Sequence, residues 1–160
     1  MDSDIVFVYM NVVNGYITGA EYQLNSAYTR SYLDKNGIPS TQYINKNPSS
    51  HWEIVNELNK SNSKNIVFFI NEYNYYISKL IINDLKSLNN TKTIYAFGPV
   101  IQYICDNLAN EISIDIYLLR EEFRALEEII TSKEDYKNIN NIAYRLEHDL
   151  VKNKIVRTDY

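Results

Sequence analysis

Ile66-Val-Phe-Phe-Ile70 is five apolar residues in unbroken succession, bounded by Asn65 and Asn71. A strand with one wet face alternates apolar and polar residues, whereas an unbroken run of β-branched and aromatic residues marks a strand covered on both faces, as at the centre of a parallel sheet. Four further runs lie on either side of it in the chain, Ile5–Val8, Thr41–Ile44, Thr93–Phe97 and Ile114–Leu119. A helix-period segment follows each. A parallel sheet flanked by helices is the simplest architecture that buries such runs. Open sheets of this kind bind ligands at the carboxyl ends of their strands, where the strand order reverses, so the place to look for chemistry follows directly.

The connecting segments carry ordinary helix punctuation. The first strand, read as Ile5–Val13, enters the loop Asn14-Gly-Tyr-Ile-Thr-Gly19. A helix is predicted from Ala20 to Lys35, with Leu24, Ala27, Tyr28 and Leu33 inward and a stop at Asn36-Gly37. Ser50 is placed to cap His51–Lys60, and Asn74 to cap a helix whose inward stripe is Ile77, Leu80, Ile81, Leu85 and Leu88. Gly98-Pro99 separates the fourth strand from a helix bearing Ile101, Ile104, Cys105 and Leu108 on one face. Arg120-Glu-Glu122 opens the next, with Phe123, Leu126 and Ile130 inward. Residues 136–160 break the alternation and read as a hairpin turning at Lys152-Asn153, following an α/β unit over 1–135. The stop after Arg157-Thr-Asp-Tyr160 reads as a piece of a longer protein.

The chain's 160 residues, 45% of them apolar, suffice for one real core, and a net charge of −4 without a Lys/Arg cluster argues against nucleic-acid binding. The acidic start and the lack of any apolar stretch near the roughly 18 residues of a membrane span lead to the expectation of a cytoplasmic protein that binds no membrane. A single cysteine, Cys105, excludes an intrachain disulfide and a multi-cysteine metal site, and its helical stripe reads as a small core thiol.

Sharper motifs are absent. There is no G-x-G-x-x-G after the first strand, no G-x-x-x-x-G-K-[ST] and no G-x-S-x-G. His51 beside Trp52 reads as a solvated capping-region residue, and His148 between Glu147 and Asp149 as an exposed strand residue without further metal ligands. Glu121 and Glu122 are adjacent, so on a helix they point about 100° apart and suit the dipole better than a catalytic pair. Among 15 tyrosines, Tyr16, Tyr22, Tyr73, Tyr75 and Tyr76 cluster after the first and third strands, either as packing or as the wall of a pocket for a large planar ligand.

The order of these features resembles the N-terminal cobalamin (B12)-binding domain of the B12-binding radical SAM enzymes over nearly the whole chain. The early helix ending at Gly37 and the central strand Ile66–Ile70 are similar to that family's. Tyr95-Ala-Phe-Gly98-Pro99 resembles a strand ending in Gly-Gly-Pro, with Phe97 in place of the first glycine. Leu119-Arg-Glu-Glu-Phe-Arg-Ala-Leu126 resembles a Gly-Glu-Gly-Glu stretch before an amphipathic helix, with Arg120 and Phe123 as departures. Asn141–Arg145 and Lys154–Arg157 resemble the hairpin that precedes the radical SAM barrel.

The resemblance implies a flavodoxin-like, Rossmann-like three-layer sandwich with a five-stranded parallel sheet and a C-terminal β-hairpin. It implies a corrinoid across the strand ends, its nucleotide tail in the crevice, held by Asn14, Gly15, Thr18, Gly19, Asn71, Glu72, Tyr73, Phe97, Gly98, Pro99, Arg120 and Glu121. The loop Asn11–Gly19 has no histidine, so the Asp-x-His-x-x-Gly mode of cobalt ligation is excluded. An iron–sulfur cluster bound through C-x-x-x-C-x-x-C, S-adenosylmethionine and catalysis itself (methyl transfer or related radical chemistry) would belong to a radical SAM domain joined in cis. Two other readings stay open: a non-catalytic recognition domain binding a peptide or partner protein, suggested by Phe97, Arg120 and the tyrosines, and an independent α/β enzyme, which needs a nucleophile–base pair at the strand ends.

Overall fold

The computed structural model describes residues 4–13, 16–17, 23–43, 50–132 and 135–156. The apolar runs form β1 (Ile5–Val8), β4 (Ser40–Tyr43), β5 (Asn65–Phe69), β6 (Thr93–Phe97) and β7 (Ile116–Leu118); β2 (Val12–Val13) and β3 (Tyr16–Ile17) pair only with each other. The first strand therefore ends at Val8 instead of running to Val13. Two more strands, β8 (Ile142–Leu146) and β9 (Asp149–Lys152), complete a mixed seven-stranded sheet in the order β4-β1-β5-β6-β7-β8-β9. Pairing is parallel from β4 through β7 and antiparallel at β7–β8 and β8–β9.

The unbroken runs are explained by cover on both faces. Val6, Val8, Ile66, Phe68, Ile94 and Ala96 share one core with Ile54, Val55 and Leu58 of α2 (His51–Lys60) and Ile81, Ile82 and Leu85 of α3 (Tyr75–Leu88). Ile5, Phe7, Val67, Phe69, Tyr95 and Phe97 share the other with Leu33 of α1 (Leu24–Lys35) and Ala125, Leu126 and Ile129 of α5 (Glu122–Thr131). Each Val, Leu, Ile or Phe among them contributes about 1.5–3 kcal/mol when fully buried. Ser50 caps α2 in a reciprocal box: its Oγ accepts from the Glu53 N–H, and Glu53 Oε2 accepts from the Ser50 N–H at 2.9 Å.

Four expectations are corrected. In α1 the buried stripe is Ser26, Thr29 and Leu33, while Leu24 is 79% exposed and Tyr28 also faces out. The opposing sheet face already holds Phe7, Phe69 and Phe97, so small residues are what α1 presents to it. In α3, Leu80 and Leu88 are exposed and Ser78 and Ile82 take the inward positions, a rotation that apolarity alone does not distinguish in a largely apolar helix. The hairpin turns at Glu147-His148, with Leu146 opposite Asp149 and Glu147 at φ 56°; His148 is thus a turn residue. Lys152 is held in β9, where its ammonium pairs with Asp106. Finally, the segment after Gly98-Pro99 begins as α4 (Ile101–Tyr103) and widens into a π-turn over Ile104–Leu108, a form in which Ile104 and Cys105 are still buried.

Candidate functional site

Because β1, β5, β6 and β7 run parallel as neighbours, the segments leaving their carboxyl ends share one edge of the sheet. Those segments hold Tyr9, Asn71 to Tyr73, Phe97 to Pro99 and Arg120-Glu121. The order reverses beside β1, between β4 and β5, which is the switch point where such sheets bind ligands. Asn14, Gly15, Thr18, Gly19 and Tyr22 lie outside the described residues.

The turn after β5 is locked by two asparagines. Asn71 Oδ1 accepts from the backbone N–H groups of Tyr73 and Asn74, each at 3.0 Å, while Asn74 Oδ1 accepts from the Asn71 N–H at 2.9 Å. Asn74 Nδ2 then donates to the Phe69 carbonyl at 3.0 Å. The buried Asn74 amide thus serves the strand and the turn, and it makes no capping bond to α3, contrary to expectation. This lock holds Glu72 and Tyr73 outward, Tyr73 at 76% exposure. Tyr76 is 78% exposed, whereas the Tyr75 ring turns inward and its hydroxyl is buried, which raises its pKa.

Beside it, Ile70 N–H donates to the Phe97 carbonyl at 2.8 Å and draws the two loops together. Gly98 has φ 131°, and a Cβ there would stand 2.2 Å from the Ile70 carbonyl oxygen. Glycine is therefore required by the close approach of two backbones. Pro99, the next residue, is exposed. Phe97 is only 2% exposed and packs edge-on against Phe69, with centroids 5.3 Å apart, and Phe7, at 6.4 Å. Tyr9 continues the group against Phe69 at 5.7 Å.

At the end of β7, Arg120 is exposed and Glu121 is left-handed at φ 46°, its carboxylate 3.7 Å from Arg124. The residue that adopts the glycine-favouring conformation is thus Glu121, one position after Arg120. Burial raises the Glu122 pKa at the first position of α5. Among the described residues, no group of three or more His, Cys, Asp and Glu side chains is arranged to hold a metal ion. His51 pairs with Asp84 across α2 and α3 at 3.2 Å, and His148 is in the distal turn, so neither histidine comes from a strand-end segment.

The opposite edge is closed by its own bonds. The buried Lys92 ammonium donates to the carbonyls of Ser61 and Ser63, burial lowering its pKa, and Asp115 accepts from Lys86 and from the Ile94 N–H.

Sequence reasoning missed Tyr9, Phe69, Ser26 and Thr29. The hydroxyls of the last two are buried on α1 and have no hydrogen-bond partner among the described residues. The Asn71-x-x-Asn74 spacing signals the turn lock, but nothing in α1 singles out two small hydroxyl residues above larger apolar ones.

No protein-family profile and no curated protein matches the chain. Solved structures do. The cobalamin-dependent S-adenosylmethionine radical enzyme OxsB, with aqua-cobalamin and S-adenosylmethionine bound, matches 96% of this chain with a TM-score of 0.77 and 15% identity. The radical S-adenosylmethionine methyltransferase TsrM from Kitasatospora setae, with cobalamin and a [4Fe-4S] cluster bound, matches 99% with a TM-score of 0.71 and 13% identity. The chain spans 22% of OxsB and 30% of TsrM. No helix among the described residues is long and apolar enough to cross a membrane. In fold, the chain is similar to the portions of these cobalamin-dependent radical SAM enzymes that it covers.

Proposed function

We propose that this chain is a corrinoid-binding module of a cobalamin-dependent radical SAM enzyme, the reaction being carried by a domain in cis that this chain does not contain. The observation that carries the reading is the fold match over 96–99% of the chain to structures holding cobalamin. Two features fit such a ligand. Gly98 closes the β6 turn against the Ile70 backbone and puts no side chain at the strand-end edge. Tyr73 stands exposed on the neighbouring β5 turn.

When bound, a corrinoid supplies a cobalt that carries and transfers an alkyl group. The chain's own part is to hold and orient: the Asn71–Asn74 lock sets the β5 loop, Gly98 sets the β6 loop, and Arg120 with Glu121 borders the β7 side. The one cysteine, buried Cys105, leaves the three-thiolate cluster to another domain. Chromatography of the 160-residue chain after mixing with hydroxocobalamin tests the proposal; co-elution with a shifted corrin spectrum supports it, and free corrinoid at millimolar protein rejects it.

The second reading, a partner-binding domain, is favoured by one observation, the outward rings of Tyr73, Tyr76 and Tyr103, the last 61% exposed. It is tested with those three changed together to alanine in a partner pull-down. Unchanged capture counts against it.

A further inference from the structure

We infer that the corrinoid site of this chain does not take the nucleotide arm into the interior, and that it recognises the macrocycle, so that corrinoids with and without a lower nucleotide bind alike. The inference rests on the proposed corrinoid function.

A cobalamin has two parts with different spatial needs. The macrocycle is broad and flat and needs a platform. The nucleotide arm is long and narrow, and to be buried it needs a slot between the sheet and a covering helix. On the α1 and α5 side of the switch edge, four aromatic rings occupy that space. Phe97 touches Phe69 and Phe7, and Phe69 touches Tyr9, all in edge-to-face contact at centroid separations of 5.3–6.4 Å. Phe7 is fully buried, and Phe69 and Phe97 nearly so.

Neither wall is free to retreat. The β6 turn is pinned because Gly98 already lies against the Ile70 backbone and Phe97 accepts the Ile70 N–H. Helix α1 is fastened to α5: the Tyr32 hydroxyl donates to Glu127 at 2.6 Å, and Phe123 is wedged between Tyr28 and Tyr32 at 5.4 and 4.8 Å. Close-packed interiors resist insertion, because each displaced side chain must leave its rotamer or its contacts. The aromatic group stands in the core layer that α1 and α5 cover. Phe97 is the decisive member, as it is buried at the end of β6 and touches both Phe69 and Phe7.

The test is a spectroscopic titration of the 160-residue chain with hydroxocobalamin and, separately, with diaquocobinamide, which keeps the macrocycle and lacks the nucleotide. Dissociation constants within fivefold of one another, or a tighter cobinamide, are expected. A cobalamin bound fivefold or more tightly than cobinamide overturns the inference and leaves the proposed function standing. Binding of neither corrinoid rejects the proposed function itself. In Phe97→Ala, cobalamin is expected to gain at least tenfold relative to cobinamide, and a folded variant with the wild-type ratio overturns the inference. Should that variant not fold, the wild-type ratio alone decides.

Discussion

The Ile70 carbonyl oxygen occupies the space that a Cβ on Gly98 would need, 2.2 Å from its ideal position. This contact welds the carboxyl ends of the two central strands and makes one residue of the candidate site a condition of the fold. Gly98→Ala combines a left-handed φ with a backbone clash and is expected to cost about 2–4 kcal/mol, measured by urea denaturation. Loss of corrinoid binding in a bulkier Gly98 variant would reflect the same damage, so binding is better probed at the exposed Tyr73 and Arg120.

Asn74→Ala removes two bonds at once, the one its amide oxygen accepts from the Asn71 N–H and the one its amide nitrogen donates to the Phe69 carbonyl. With buried backbone groups left unpaired, a loss of roughly 2–3 kcal/mol is expected. Amide exchange should accelerate at Asn71 and Tyr73 before it does in β5.

Arg145 ties the hairpin to the loop before β7, its guanidinium donating to the carbonyls of Ala109, Ile112 and Ile114. Arg145→Ala is expected to cost about 2–3 kcal/mol, which for a chain of this size lowers Tm by roughly 4–12 °C. Arg145→Lys should recover only part, since one ammonium cannot span three carbonyls as a planar fork does.

Glu122 gives a pH signature. Its folded pKa is raised by burial, so the folded state holds the proton more tightly than the unfolded chain does. Stability therefore falls as pH rises from the ordinary glutamate value through the raised one, and the penalty persists above it. Glu122→Gln should be more stable than the parent at pH 7 and lose that advantage toward pH 4, as thermal melts across that range will show.

The strands were legible because covered parallel strands leave unbroken apolar runs, and Ile66–Ile70 and Thr93–Phe97 fall in adjacent central strands. Helix faces were less so: in α1, Ser26 and Thr29 face inward because phenylalanines fill the sheet opposite, a fact of tertiary packing. The hairpin turn escaped because Glu147 adopts a left-handed conformation without being glycine or asparagine. At the site, Gly98 was legible as a turn, but its contact with Ile70 joins residues 28 positions apart and leaves no local trace. Phe97 read as a ligand-holding residue at the end of the fourth strand and is core, since the period-2 alternation of β6 turns it under α1 and α5.

The central claim is that a corrinoid lies across the carboxyl edge of the sheet, and cob(II)alamin reports this directly because its unpaired electron broadens nearby amide signals. In 15N-resolved NMR of the 160-residue chain, the account predicts selective broadening at Tyr73, Gly98 and Arg120, with Ser63, Lys92 and Asp115 at the opposite edge untouched. Sharp signals at Tyr73, Gly98 and Arg120, or broadening centred on Lys92 and Asp115, would contradict it.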